Sequence, residues 1–273
     1  MLRVNNLTGF GAGGTEKSFN GIIQGLGLGT SLLVCLDAGD INSYDGSSQT
    51  WANTAPGSVG TDFYRGSGSG SDGADPTFNG TAGALTESEY FSHDGGDYFT
   101  EVSSGWGDDE FHKDGATFTI AGIWYIANFG NYQGLYSTAI NLASQIGIHW
   151  YLNVTNGIFV VQARSGSGLP LNVATTMSAT NGAWAFGALS VDENGGSSSG
   201  LVLWDSSTET FNPSYTSPSS SAATQPSVIG WASFPLRSGS RIGALGVWNR
   251  ALSSVELASL RAACKAQRWT SLP

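Results

Sequence analysis

Retaining glycoside hydrolysis needs two carboxyl groups about 5–5.5 Å apart, one as nucleophile and one as acid–base. Glu87-Ser88-Glu89 sets two acids at strand spacing, where every second side chain shares a face. Nothing further along that segment completes a catalytic carboxylate pattern. A serine nucleophile needs a histidine and an acid beside it. The histidines are His93, His112 and His149. The tract Gly66-Ser67-Gly68-Ser69-Gly70-Ser71 is a Ser-Gly repeat and not a serine held on a strand-to-helix turn. Calcium takes six or more oxygens, several from carboxylates. Asp94, Asp97, Asp108, Asp109 and Asp114 crowd one stretch without EF-hand spacing. They read as a solvated loop, with calcium as the open alternative and no cofactor otherwise implied. Sugar binding uses aromatic faces beside polar groups. His149 and Tyr151 alternate with Ile148, Trp150 and Leu152, and Tyr125 and Trp204 are expected to join them on one sheet face. Burial between two sheets accounts for these rings equally well.

The elements that would position these residues are β-strands. In Thr117–Ile126 large apolar residues fall at 118, 120, 124 and 126, the two-residue period of a strand. The intervening residues are also fairly apolar, so this strand is expected in the middle of a sheet, covered on both faces. Further strands are expected at 31–37, 85–92, 96–102, 146–152, 158–164, 183–191, 201–205, 227–231 and 241–248. Thr155-Asn156-Gly157 and Asn194-Gly195-Gly196 supply hairpin turns. The one helix expected is C-terminal. Ser253-Ser254-Val255-Glu256 has the form of a capping box, flanked by a Leu252–Leu257 staple. The organisation expected is a Gly-rich arm over 1–30 that cannot fold alone, a sandwich over 31–252, and a helix and tail over 253–273.

The chain has 273 residues, 39 of them glycine, and only 12% are charged, against roughly 25% in average domains. Nine tryptophans and 13 phenylalanines supply a core. A net charge of −10 argues against a broad nucleic-acid surface, which needs clustered Lys and Arg. The charge is uneven. Nine of 21 acids lie between Glu87 and Asp114, and six of 11 bases between Arg237 and Arg268. Solvated faces explain this, and so would an acid-to-base contact between subunits. Cys35 and Cys264 read as buried thiols, although a bond between them stays open. No apolar run approaches the ~20 residues of a membrane span. Met1–Gly9 carries no signal-peptide apolar core. Synthesis in cytoplasm is therefore expected, with the triplets at Asn6, Asn79 and Asn153 unmodified.

The order of these pieces resembles the concanavalin A-like jelly roll of laminin-G type. His93-Asp94-Gly95-Gly96-Asp97-Tyr98 is similar to that family's Phe-Asp-Gly-x-x-Asp-Tyr turn, with His93 where the family has Phe. Phe118–Trp124 resembles the next strand, and Asn181–Gly187 the central "G-x-W" strand. Arg241–Ser253 resembles the closing strand that runs into "Asn-Arg-Ala-Leu-Ser" and a short helix. The resemblance implies an all-β fold, a two-sheet antiparallel jelly-roll sandwich. It does not fix a function, because the fold hosts lectins, glycosidases and structural modules. The Glu-x-Asp-x-x-Glu strand of its glycosidases is absent. Gly-rich, acidic, signal-less chains of this kind resemble structural proteins of tailed bacteriophages. The expectation is therefore a non-enzymatic virion protein, located in the virion and held to other virion proteins, in a homo-oligomer. The alternative is a carbohydrate-binding module for a host-surface glycan, with Tyr125, His149, Tyr151 and Trp204 as its candidate residues. A glycoside hydrolase comes third. Neither nucleic acid nor membrane is expected as a partner.

Overall fold

The computed structural model describes residues 17–57, 60–103, 106–111, 113, 115–138, 147–165, 168–214, 226–230 and 233–273. Helix α1 (Phe19–Gly25) precedes strand β1 (Leu32–Asp37). Short strands follow: β2 (Thr50–Trp51), β3 (Phe63–Arg65), β4 (Thr77–Asn79), β5 (Tyr90–Ser92) and β6 (Phe99–Glu101). After α2 (Trp106–Phe111) come β7 (Thr117–Tyr125), β8 (Gln133–Ser137) and β9 (Gly147–Leu152). They lead to β10 (Ile158–Ser165), β11 (Gly168–Ser178) and β12 (Trp184–Asp192). The last strands are β13 (Gly200–Trp204), β14 (Ser207–Phe211), β15 (Val228–Ile229) and β16 (Arg241–Trp248), before α3 (Ser254–Gln267).

The strands form two antiparallel sheets, as the two-sheet sandwich expected from the sequence requires. The first runs β14-β13-β12-β7-β16-β5-β4, with β1 also pairing to β16. The second runs β11-β10-β9-β8-β15-β6-β3-β2. Strand β7 sits between β12 and β16. Phe118, Ile120 and Trp124 point from it into the inter-sheet core, with Trp150, Phe159, Val161 and Trp204 among their neighbours there. Burying each such side chain removes apolar surface worth roughly 1.5–3 kcal/mol. Gly122 pairs with Gly187 in the middle of this layer, and the Trp124 and Trp204 rings occupy the space a Cβ would need at Gly187.

The opposite face of β7 explains its double-sided apolar pattern. Ala121 and Ile123 pack under a third layer built from α1 and α3, through Phe19, Ile22, Ile23, Leu257, Leu260 and Cys264. A strand covered on both faces reads as a near-continuous apolar run. The expected arm over 1–30 is thereby corrected in part. Residues 1–16 lie outside the described residues, but Ser18 caps a helix, accepting the Gly21 N–H at 3.2 Å, and that helix docks on this chain's own sheet. Phe19, Ile22 and Ile23 stand at i, i+3 and i+4, one stripe of a helix. The surrounding glycines hide this stripe in the sequence. At the other end, the Ser253 hydroxyl accepts the Glu256 N–H at 3.3 Å, and the Glu256 carboxylate accepts the Ser253 N–H at 2.8 Å. This completes the capping box, a feature worth about 1 kcal/mol. Cys35 and Cys264 are free thiols in this layer, and burial pushes both upward in pKa. No helix among the described residues is long and apolar enough to cross a membrane.

Candidate functional site

The four aromatic candidates do not share one face. Trp204 pairs with Gly187, whose row points inward, so its ring lies in the inter-sheet core 5.0 Å from Phe159. The expectation that Trp204 binds a ligand is corrected by that burial. Tyr125 lies on the outer face of the first sheet, and His149 and Tyr151 on the outer face of the second. His149 is fully buried, with Nδ1 2.7 Å from the Ser137 hydroxyl. Tyr151 is nearly so, and burial pushes its phenol up to about 12. Tyr151 nevertheless leads to a site, because its ring lies 5.8 Å from Tyr132 and 6.1 Å from Phe234.

Those two rings wall a cleft of about 400 Å3, lined by Asp94, Gly95, Asn128, Asn131, Tyr132, Ser233, Phe234, Pro235, Arg237 and Ser238. The volume falls in the usual range for small-ligand sites, roughly 300–1,000 Å3. Three loops build it. The first is the Asp94-Gly95 turn after β5. The second joins β7 to β8, and the third precedes β16. Hydrogen bonds lock them together. The His93 N–H donates to Ser240 O at 2.9 Å, and the Ala127 N–H to Ser240 Oγ at 3.1 Å. The Gly134 N–H donates to Phe234 O at 2.7 Å. Buried Gln133 accepts the Arg237 N–H at 3.0 Å and donates to Asn128 O at 2.9 Å.

The cleft presents one aromatic face, two amides and two opposite charges. Tyr132 is 39% exposed, and its ring rests 4.9 Å from Phe234. Arg237 Nε donates to Asn128 Oδ1 at 3.2 Å. The Asn131 amide, oriented by its partners, accepts from Arg237 Nη1 at 3.1 Å and donates to Gly130 O at 2.9 Å. Neutral amides thus hold the guanidinium, and among the described residues no carboxylate pairs with it. Asp94 is exposed, with Oδ1 accepting the Gly96 N–H at 2.8 Å. Beneath it, Asp97 Oδ2 accepts the Asp94 N–H at 2.7 Å. Burial pushes the Asp97 carboxyl up to about 7, and burial pushes the His93 imidazole down to about 4. The His93 Nδ1 lies 3.1 Å from Asp97 O. Both side chains fix the turn that carries Asp94.

The remaining sequence candidates take structural places. The Glu89 carboxylate is buried and accepts the Thr86 N–H at 2.6 Å, while Glu87 accepts the Ser271 N–H at 3.0 Å. Glu89 folds its own loop, and Glu87 ties that loop to the C-terminal segment. Among the described residues no group of three or more His, Cys, Asp or Glu is placed to hold a metal ion. His112 and Asp114, and the side chains of Asp108 and Asp109, lie outside the described residues. Sequence reasoning missed Asn128, Asn131, Tyr132, Phe234 and Arg237. An aromatic next to two asparagines in a glycine-containing loop was the available signal.

No family model matches the sequence, and no curated protein matches it. Solved structures match in fold. Trypanosoma rangeli sialidase in complex with sialic acid gives a TM-score of 0.52 at 11% identity, over 88% of this chain and 34% of that one. The same sialidase in complex with the inhibitor DANA gives 0.51 at 12% identity, over 84% of this chain and 32% of that one. A structure of botulinum neurotoxin type C gives 0.54 at 7% identity, over 87% of this chain and 52% of that one. Uptake of that toxin into cells is described as dependent upon interaction with two ganglioside molecules. The chain thus spans between about a third and about half of the chains it matches. At these identities the likeness shows the fold, a β-sandwich. It also corrects one expectation. Sialidases are among the chains that share this architecture, so the assignment as a non-enzyme does not stand.

Proposed function

We propose that this chain binds a glycan in the cleft between the Asp94 turn and the Tyr132 and Arg237 loops. One observation carries the reading. An exposed Tyr132 ring faces the same 400 Å3 space as Asn128, Asn131, Asp94 and Arg237. A sugar presents an apolar C–H face and a rim of hydroxyls. The ring offers stacking area, and the amides and charges offer directional donors and acceptors. The loops are cross-braced before any ligand arrives, which lowers the ordering cost of binding. The matched structures named with sialic acid and gangliosides support a glycan as ligand class.

A laminin-G-type jelly roll on a phage particle is the finer setting in which we place this activity. It rests on the sequence resemblance. There the chain would adhere to a host-surface glycan while held to other virion proteins, in a homo-oligomer. Purified particles probed for the chain test that setting. A glycan array tests the binding itself, and analysis of the array products for cleavage shows whether binding is accompanied by hydrolysis. Hits that vanish in Tyr132→Ala are expected. An array without hits would overturn the reading.

A further inference from the structure

Trp184 pairs directly with Tyr125, Tyr125 with Arg241, and Arg241 with Ser92. Directly opposed residues share a face, so these four make one row across the outer face of the first sheet. Tyr90, two residues before Ser92, lies on the same face. The Arg241 guanidinium carbon stands 4.7 Å from the Tyr90 ring centroid and 4.6 Å from that of Tyr125. Trp184 braces both tyrosines, at 5.7 and 5.8 Å between centroids. Tyr90, Tyr125 and Arg241 are all partly exposed.

Among the described residues Arg241 is the arginine whose guanidinium makes no hydrogen bond and no ion pair. The other six each donate to an oxygen. This is notable in a chain with 21 acids against 11 bases. Flanking rings fix the guanidinium plane and hold it by cation–π attraction. Its N–H edge stays open, in the fork geometry that grips a carboxylate through two parallel bonds. Strands β5, β7 and β16 run from this row straight into the cleft loops: Ser92 to Asp94, Tyr125 to Asn128, and Arg241 back to Ser238.

We propose that Arg241, Tyr90 and Tyr125 form a second ligand site, which takes the carboxylate of an acidic saccharide and seats its ring against the tyrosine faces. The site stands independently of the cleft. The test is a titration of the full chain followed at the Arg241 Nε–Hε resonance, assigned by its loss in Arg241→Lys. D-glucuronate, D-glucose and inorganic sulfate are the probes. The expected result is a saturating shift with glucuronate and none with glucose. Arg241→Gln, followed at the Tyr125 backbone amide because it lacks the guanidinium, and Tyr125→Leu with the guanidinium intact, are each expected to weaken glucuronate by about tenfold or more, with the amide spectrum confirming the fold. No saturating shift with glucuronate, or an affinity unchanged from wild type in either variant, would overturn the proposal. An equal response to sulfate would also overturn it, by showing a general anion contact without saccharide recognition.

Discussion

The Arg268 guanidinium donates to both carboxylate oxygens of Asp37, at 2.7 and 2.6 Å, with neither side chain exposed to solvent. Asp37 also accepts the Phe19 N–H at 2.8 Å and the Gly39 N–H at 2.9 Å. Arg268 Nε donates to Thr86 O at 2.8 Å, and its guanidinium lies 4.3 Å from the Trp269 ring centroid. One buried pair therefore joins the start of α1, the end of β1, the Thr86 loop and the chain's last turn. Removing one partner of such a pair leaves a buried charge uncompensated, which costs about 3–5 kcal/mol. Arg268→Leu is expected to lose that much in urea unfolding and to loosen α1 first, seen as faster amide exchange at Phe19–Ile23. A loss below ~1 kcal/mol would show that the pair adds little to fastening the helical layer.

Two groups beneath the cleft act in opposite directions on stability. His93 is held down to about 4, from an ordinary 6.5, and Asp97 up to about 7, from an ordinary 3.8. Between pH 4 and 6.5 the unfolded chain binds the extra proton at His93, so that group makes stability rise with pH. From pH 3.8 to 7 the folded chain binds the extra proton at Asp97, so that group makes stability fall with pH. The two slopes offset each other through most of the window. Relative to wild type, Asp97→Asn should gain stability from pH 4.5 to 6.5, and His93→Phe should lose it, as read by urea midpoints. Parallel profiles for all three proteins would refute the assignment.

Glu209 closes an open edge. Its carboxylate, on edge strand β14 of the first sheet, accepts the Thr176 N–H at 2.8 Å and the Met177 N–H at 3.0 Å on edge strand β11 of the second. Unpaired edge groups are templates for association. Glu209→Ala is expected to cost about 1 kcal/mol, to speed amide exchange at Thr176 and Met177, and to raise the tendency to self-associate in light scattering. Unchanged exchange at both amides would remove this role.

Gly187 leaves no room for a methyl group beside the Trp124 and Trp204 rings. Gly187→Ala should cost about 1–3 kcal/mol through overpacking. Trp204→Phe in the same background should restore part of that loss by thinning the facing ring. A neutral Gly187→Ala in urea unfolding would contradict the packing described for this layer.

The fold was legible where local pattern and tertiary role agree. The alternation at 117–126 became β7, and the capping box at Ser253 started α3 one residue later. Strands of two or three residues, such as Thr50–Trp51 and Thr77–Asn79, were invisible. They are defined by pairing with neighbouring strands, Trp51 opposite Phe63 and Phe78 opposite Phe91. Trp204 looked like a ligand-binding ring because a strand's alternation does not say which face is inside. Of the four ring candidates Tyr151 was the one that led to the cleft, from beneath, while Asp94 of the acidic stretch lines it directly. Tyr132 and Arg237 come from loops about a hundred residues apart, tied by Arg237 N–H to Gln133. No local pattern carries that contact.

The most direct test of glycan binding in the cleft is an isothermal titration of the strongest array ligand into wild type and Tyr132→Ala. Truncating an aromatic anchor in a binding site costs about 2 kcal/mol, roughly thirtyfold in Kd. The expected result is that weakening in a protein with an unchanged amide spectrum. Equal affinity in the two proteins would place the sugar elsewhere and contradict the account.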